Sequence, residues 1–202
     1  GWTEPHLRYL RELVLPDPVQ KQILEDYLQA IDGAEQRVGR LEAQMRLHLE
    51  HWSRRPFVEA LQGLRGFQLV AAMVVTSELG DLGRFERPPQ LAAYLGLIPG
   101  EDSSGDRRRQ GPITKCGNSH VRWMLVEVAQ HYRLAPKVSH FLSRRQEGLS
   151  QEIKAVSWKA QNRLHRRYVK LAMRRLHHNK IIVALARELT GFIWELDRVM
   201  PR

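Results

Sequence analysis

The sequence predicts an all-α protein in which one long coiled-coil helix precedes a compact helical domain with an irregular loop. Three observations indicate this fold. Apolar residues recur at helical spacing along most of the chain, glycine and proline cluster between these segments, and no stretch shows sustained two-residue alternation. We therefore expect helices throughout, with at most a short hairpin inside the loop.

The long helix is predicted to begin at Asp17, which is a good N-cap acceptor and is followed by Pro18, a residue suited to the first helical turn. From there apolar residues recur every three or four positions for about four heptads. Residues 17–55 are therefore predicted to form a coiled-coil arm that dimerises or joins two domains. An ordinary long helix that packs on its own domain is the alternative. The predicted seam comprises Leu24, Tyr27, Ile31, Ala34, Val38, Leu41, Met45, Leu49 and Trp52.

The remaining chain divides into a linker over residues 1–16 and a compact helical domain over residues 56–202. Because the chain begins with Gly1 rather than methionine, we expect it to be part of a longer protein. Pro56 is interpreted as the end of the arm. Helices are then predicted for residues 57–64, 67–79, 89–95, 119–133, 139–145, 150–177 and 179–200.

The first two helices of the domain are joined by a tight turn at Arg65 and Gly66. This pattern resembles a helix-hairpin-helix element, whose turn presents backbone N–H groups to a DNA phosphate. Such turns usually contain two glycines, and here Phe67 and Gln68 follow Gly66. A purely structural helix pair is the alternative.

Positive charge is concentrated towards the C-terminal end. The formal net charge is +10, and residues 137–202 carry 15 Lys and Arg against 5 Asp and Glu, whereas residues 1–52 carry 6 against 9. Counterions released from phosphates supply most non-specific affinity for nucleic acid, so the basic helices of residues 137–202 predict DNA or RNA as a partner. A basic surface without a specific ligand is the alternative.

Several classes of protein are excluded by composition. No apolar run approaches the ~20 residues that span a bilayer, and no secretory signal opens the chain. The single cysteine, Cys116, excludes an internal disulfide framework and favours a reducing, cytoplasmic setting. His48 and His51 lie one helical turn apart, but no partner motif of carboxylates and histidines accompanies them, so they are interpreted as surface histidines. We therefore predict no metal site in this chain and no membrane partner.

The residues most suited to chemistry lie in the loop of residues 96–118, where Ser103 and Ser104 precede several cations. Guanidinium groups bind phosphate oxygens bidentately and stabilise the charge that develops when a phosphodiester is attacked. A nucleophilic serine also needs a base or a metal to remove its proton. No triad spacing is visible, and His120 is the nearest histidine. A solvated charged loop is the alternative. The cations are Arg107, Arg108, Arg109 and Lys115.

A series of short motifs occurs in a recognisable order over residues 57 to about 133. They are Leu64-Arg65-Gly66, Glu78-Leu79-Gly80-Asp81, Arg84-Phe85, Leu95-Gly96-Leu97-Ile98-Pro99, Glu101, Ser103-Ser104-Gly105, Arg108, Gly111, Ile113-Thr114-Lys115 and Gly117-Asn118. With these motifs the chain resembles the C-terminal transposase domain of the insertion-sequence DEDD transposases, also described as bridge-RNA-guided serine recombinases.

The resemblance implies a reaction in which a serine of this domain attacks a DNA phosphodiester and forms a covalent phosphoserine intermediate. By position in the motif the nucleophile is Ser104, with Ser103 as the fallback. The resemblance also implies a structured guide (bridge) RNA that selects the DNA sites, and a divalent metal (Mg²⁺) held by four acidic residues of an N-terminal RuvC-like domain. No strand-rich segment with spaced acidic residues precedes the arm. We therefore expect no cofactor in this chain and no DNA cleavage by the chain alone.

The prediction is thus a transposase or serine-recombinase domain in a prokaryotic cytoplasm, associated with the nucleoid. Its expected partners are DNA, a structured guide RNA and further copies of the chain, joined as a homodimer or higher oligomer through the arm. The alternative is a non-catalytic helical module that binds DNA or RNA and dimerises. The side chains predicted to bind phosphate or nucleic acid are Arg107, Arg108, Arg109, Lys115, Arg122, Lys159, Arg163, Arg166, Arg167 and Lys170.

Overall fold

The computed structural model describes residues 3–101 and 110–200, and within these ranges most residues are helical. The all-α prediction is confirmed. The helices are α1 (Glu4–Glu12), α2 (Pro18–His51), α3 (Arg55–Gln62), α4 (Leu69–Leu79), α5 (Pro88–Tyr94), α6 (Ser119–Ala129), α7 (His140–Arg145), α8 (Gln151–Met173) and α9 (His178–Val199). Two short strands, β1 (Pro99–Glu101) and β2 (Gln110–Ile113), and 3₁₀ turns at Leu82–Arg84 and Gln130–Arg133 complete the described elements.

The chain forms two compact units that divide between His51 and Trp52. The first unit contains α1 and α2. Helix α1 lies within the segment that was expected to be a linker, and its Leu7 is buried. Arg11 of α1 also donates to a carboxylate oxygen of Asp32 on α2 at 2.8 Å. The buried leucine and this ion pair explain why residues before Asp17 adopt a defined helix.

Helix α2 begins as the sequence indicated, since the Asp17 carboxylate accepts from the backbone amide of Val19 at 2.9 Å. Three residues of the predicted seam remain largely outside the core of the chain. Tyr27, Val38 and Leu41 are 67%, 55% and 50% exposed. These three side chains are exposed to solvent in the single chain, and the coiled coil stays a prediction.

The arm ends earlier than Pro56. Helix α2 stops at His51, and the amide of Arg55 then donates to the carbonyl of Trp52 at 2.9 Å as the chain turns into α3. Pro56 lies in the first turn of α3. The proline begins a helix here because the first helical turn needs no backbone donor.

The second unit is built around α9, which contacts α3, α5, α6 and α8. The predicted inward residues of α9, including Ile182, Leu189 and Ile193, are fully buried. The predicted inward residues of α6 are buried as well, among them Val121 and Leu125. A helix that is contacted on several sides by apolar faces holds the other elements in one core.

Two helix ends differ from the sequence-based prediction. Helix α8 stops at Met173 instead of His177, because Arg175 adopts a left-handed backbone with φ 55°. The helix that begins at Ser119 passes into a 3₁₀ turn after Ala129. Neither end carries a glycine or proline, so the sequence contains no breaker that would mark it.

Candidate active-site loop and cationic surfaces

The two ends of the loop pair as a short hairpin. Strands β1 and β2 run antiparallel, with Pro99 opposite Ile113 and Glu101 opposite Gln110. The register is irregular between these two positions. The hairpin leads directly into and out of the segment 102–109, which lies outside the described residues.

Two further backbone hydrogen bonds join the loop ends below the hairpin. The amide of Thr114 donates to the carbonyl of Ile98 at 2.9 Å, and the amide of Lys115 donates to the carbonyl of Gly96 at 3.1 Å. Lys115 itself has a left-handed backbone with φ 56°. We call the opposed segments, residues 94–96 and 115–117, the clasp.

The clasp depends on two glycines at which the backbones approach closely. Gly96 and Gly117 have φ angles of 63° and 82°. A Cβ atom at Gly117 would overlap the carbonyl oxygen of Tyr94, and one at Gly96 would lie 2.6 Å from the amide nitrogen of Cys116. Both neighbours are backbone atoms, so neither can turn aside as a side chain would. Any larger residue would open the clasp.

Arg122 holds the clasp from α6. Its Nη1 donates to the carbonyl of Leu95 at 3.0 Å and to the carbonyl of Cys116 at 3.4 Å. One guanidinium nitrogen thus connects both opposed segments. The sequence predicted Arg122 as a nucleic-acid contact, and the structure gives it a role in positioning the loop ends.

A stack of side chains supports the clasp at Tyr94. The Arg84 guanidinium lies 4.7 Å from the ring centroids of both Phe85 and Tyr94. The two rings are 5.4 Å apart. The carbonyl of Phe85 in turn accepts from Nε1 of Trp194 on α9 at 2.7 Å. The Arg84-Phe85 motif therefore connects the clasp to the central helix, chiefly through cation–π and hydrogen-bond contacts.

A polar cluster of Glu78, Asn118 and His120 follows the clasp at the start of α6. The Asn118 side-chain oxygen caps α6 by accepting from the amide of His120 at 3.0 Å and that of Val121 at 2.9 Å. Its amide nitrogen donates to Glu78 Oε2 at 2.7 Å, and His120 Nδ1 lies 3.4 Å from Glu78 Oε1.

This cluster keeps Glu78 in its charged form. The hydrogen bond from Asn118, and then the one from His120, lower the pKa of Glu78. A carboxylate that orients a histidine ring through one nitrogen leaves the other nitrogen to exchange a proton. From the sequence, Glu78 was identified only as part of a motif. Its contact with Asn118 could not be predicted, because the two residues are 40 positions apart.

The predicted loop residues fall into two groups. Ser103, Ser104, Arg107, Arg108 and Arg109 lie outside the described residues. Lys115 and Arg122 lie at the clasp, on either side of Cys116 and the start of α6.

The other predicted cations lie on α8, and the structure separates them by their partners. Lys159 pairs with Glu195 at 2.7 Å, and Glu188 lies 3.3 Å from Arg163 and 3.5 Å from Arg167. These three cations join α8 to α9. Exposed Arg166 and Lys170 have no ion pair among residues 3–101 and 110–200. Along α8 they are the better candidates for phosphate contacts.

The turn between α3 and α4 is held by side chains from later helices. Gly66 has φ 87°, and a Cβ atom there would lie 2.9 Å from the carbonyl oxygen of Val128 on α6. Arg145 Nη1 donates to the carbonyl of Phe67 at 2.7 Å. Arg65 Nη1 donates to the carbonyls of Leu134 and Ala135 at 3.2 and 2.8 Å. The helix-hairpin-helix interpretation of this turn stays a prediction.

Two negative findings apply to the described part of the chain. Over residues 3–101 and 110–200, no group of three or more His, Cys, Asp and Glu side chains is placed to hold a metal ion. In those same ranges no helix is both long enough and apolar enough to cross a bilayer.

Part of this sequence matches the model of a transposase family. Residues 58–143 match the model of the IS116/IS110/IS902 transposase family. A Sinorhizobium fredii protein named as a transposase is 39% identical over 198 residues, which cover 98% of this chain and 47% of that protein. A Pseudomonas aeruginosa protein named as a family 20 transposase is 32% identical over 118 residues, covering 57% of this chain and 33% of that protein.

A third relative is the transposase for insertion sequence element IS1111A of Coxiella burnetii, which is 33% identical over 72 residues. This match covers 36% of the chain and 20% of the relative. The chain spans about half the length of the Sinorhizobium relative, or 47%.

Proposed function

We propose that the chain provides the serine half of a DNA strand-transfer site, on the premise that residues 58–143 match the transposase model of the IS116/IS110/IS902 family. Ser104 is the proposed nucleophile and Ser103 the fallback. In the proposed step the Ser104 oxygen forms a bond to the phosphorus of a DNA phosphodiester and a sugar hydroxyl leaves. The product is a covalent phosphoserine intermediate that a second DNA hydroxyl can later resolve.

The clasp is the observation that supports this proposal. Residues 94–96 and 115–117 are held together by the backbone hydrogen bond from Lys115 to Gly96, two left-handed glycines and the Arg122 bridge. The segment between its ends carries two serines and three consecutive arginines. A rigid clasp suits a catalytic loop, because transfer to phosphorus requires the nucleophile and the charge-stabilising groups to be positioned together.

Other groups would supply the metal, the charge stabilisation and the proton transfer. The resemblance to the DEDD transposases implies that a divalent metal and its acidic ligands belong to a RuvC-like domain. Arg107, Arg108 and Arg109 would stabilise the negative charge on the attacked phosphate. His120, oriented by Glu78, is the histidine of this chain best placed in sequence to exchange a proton near the loop.

Substitution of the two serines tests the nucleophile. In strand-transfer reactions that also contain a RuvC-like domain, Ser104→Ala should abolish the DNA–protein adduct that is detected after denaturing electrophoresis. DNA and RNA binding should change little, because one hydroxyl contributes little to a phosphate interface. Ser103→Ala is the matched control and should retain the adduct. Loss of the adduct only in Ser103→Ala would move the assignment to Ser103, and an adduct in the double variant would exclude both.

We propose that DNA and a structured guide RNA bind through the exposed cations of the second unit. Arg166 and Lys170 on α8, together with Lys115, support this proposal by their exposure. Binding of this kind must weaken steeply with salt. A second candidate function is a non-catalytic helical binding module, which the same cations support. The adduct assay distinguishes the two.

We also propose that the chain self-associates through α2. The exposed apolar residues Tyr27, Val38 and Leu41 lie at seam positions of the heptad pattern, and water covers them in a single chain. A second copy of α2 would cover the same stripe. Self-association would bring two copies of the loop into one assembly, as an exchange of two DNA strands requires.

A further inference from the structure

A pocket of 210 Å³ lies where the α3–α4 turn meets the segment between α6 and α7. This volume is below the range of about 300–1,000 Å³ that is typical of sites for small organic ligands. Its lining is rich in cations and contains no carboxylate. The residues that line it include Arg65, His131, Lys137, Ser139 and Arg145.

The two arginines of this pocket have N–H groups that make no described hydrogen bond. Arg65 uses Nη1 for its backbone carbonyls and for Gln161 Oε1 at 3.3 Å, and Arg145 uses Nη1 for the carbonyl of Phe67. The Nε atom of Arg145 is buried and has no hydrogen-bond partner among the described residues. Lys137 is exposed, and its side chain takes part in no described ion pair. Donors that remain unsatisfied around a small pocket favour an anion.

The electrostatics of His131 report the same positive field. Partial burial, and then the charges of Arg65, Arg133 and Arg145, lower the pKa of His131, while Glu127 acts in the opposite direction. Partial burial and then repulsion from the neighbouring cations therefore favour the neutral form of the ring. An anion in the pocket would relieve this repulsion and raise the pKa of His131.

A second, more open depression adjoins the pocket and shares two residues with it, Gln68 and Arg145. Its lining adds Arg144, Glu147 and the aromatic ring of Phe141, which is 76% exposed. A large aromatic side chain in water beside a phosphate-sized cationic pocket is the arrangement by which proteins stack an unpaired base and hold its backbone.

We propose that these two depressions form a binding site for an unpaired nucleic-acid strand, with a phosphate held between Arg65, Lys137 and Arg145 and a base stacked on Phe141. The proposal rests on the nucleic-acid partner of the proposed function. It adds a site outside the serine loop and outside α8. A duplex would keep its bases stacked inside the helix and could not use Phe141 in this way.

Substitution of exposed residues tests the site without disturbing the backbone contacts of Arg65 and Arg145. The probes are a fluorescent single-stranded DNA of about ten nucleotides, the same sequence as RNA, and the corresponding DNA duplex. The 202-residue chain should bind the single strands more tightly than the duplex in anisotropy titrations. The ratio of the two single-strand affinities identifies whether DNA or RNA is the natural source of the strand.

Two variants have matched controls. Phe141→Ala should weaken single-strand binding at least about fivefold, whereas Met173→Ala, which removes another largely exposed apolar side chain, should not. Lys137→Gln should lower the slope of log K against log salt by roughly 0.7. Lys21→Gln removes the same charge from α2 and should leave the slope unchanged. In NMR titrations the pKa of His131 should rise when the single strand binds the wild-type chain.

The outcomes separate this site from the proposed function. Binding of the single strand with no difference between these variants and their controls would overturn the site and leave the proposed function intact. An unchanged pKa of His131 in the bound chain would likewise overturn the site. Failure of the wild-type chain to bind any of the three probes would count against both the site and the nucleic-acid partner.

Discussion

Gly117→Ala should separate the two segments of the clasp and destabilise the protein. At φ 82° an alanine costs about 1–2 kcal/mol in left-handed strain alone. The new Cβ would also overlap the carbonyl oxygen of Tyr94, and the carbonyl carbon lies 3.1 Å away, so the backbone of residues 94–96 must move. Together these effects should cost about 3 kcal/mol.

Hydrogen exchange measures this change where it arises. The amides of Thr114 and Lys115 donate across the loop ends, so their protection reports the integrity of the clasp. A loss of about 3 kcal/mol corresponds to exchange that is roughly a hundredfold faster. Urea unfolding of the same variant measures the accompanying loss of global stability.

Gly148→Ala is the matched control for this experiment. Gly148 has a similar φ of 77°, but nothing lies within 4 Å of the position that its Cβ would occupy. This variant should show only the strain of about 1–2 kcal/mol and no selective exposure of the Thr114 and Lys115 amides. If Gly117→Ala were no more destabilising than Gly148→Ala, the close backbone approach would not be what maintains the clasp.

Three further predictions address other parts of the chain. Tyr132→Phe should raise the free energy of unfolding by about 1 kcal/mol in urea titrations. The Tyr132 hydroxyl is fully buried without a described hydrogen-bond partner, and burial raises its pKa. A loss of stability in the variant would reveal a hydrogen bond to this hydroxyl. The pKa of Glu78 is lowered in the folded state, so its contribution to stability is present at neutral pH and is lost as pH falls through that pKa. Wild type and Glu78→Gln should therefore differ in the free energy of unfolding at pH 7 and converge in acid. A difference that stays constant with pH would contradict this assignment. The double variant Val38→Glu with Leu41→Glu should convert an associating chain to a monomer in light scattering, because it places charges on exposed seam positions. The control Gly39→Ala, where the added Cβ would meet open space, should leave association unchanged. A wild-type chain that is itself monomeric would exclude the dimer proposal.

Helix content and apolar faces were predictable from local pattern. The start of α2 at Asp17, the caps at Asn118 and Ser150, and the inward faces of α6 and α9 all follow from interactions within a few residues of one another. The end of α8 was not predictable, because the left-handed Arg175 replaces the glycine that usually marks such a stop. The helix α1 was missed because its stability depends on burial of Leu7 and on the ion pair with Asp32.

By itself the sequence determined which residues could perform chemistry, and the order of motifs connected them to a transposase domain. Only the tertiary structure decided what several of those residues do. Arg122 reaches backwards over 27 residues to Leu95, Glu78 meets Asn118 over 40, and Arg145 meets Phe67 over 78. Composition and residue spacing show the charge of these side chains but do not predict which distant residues they contact. Contacts with the clasp and the α3–α4 turn place the guanidinium groups of Arg122 and Arg145 against backbone carbonyls, whereas Lys137 takes part in no ion pair among the described residues.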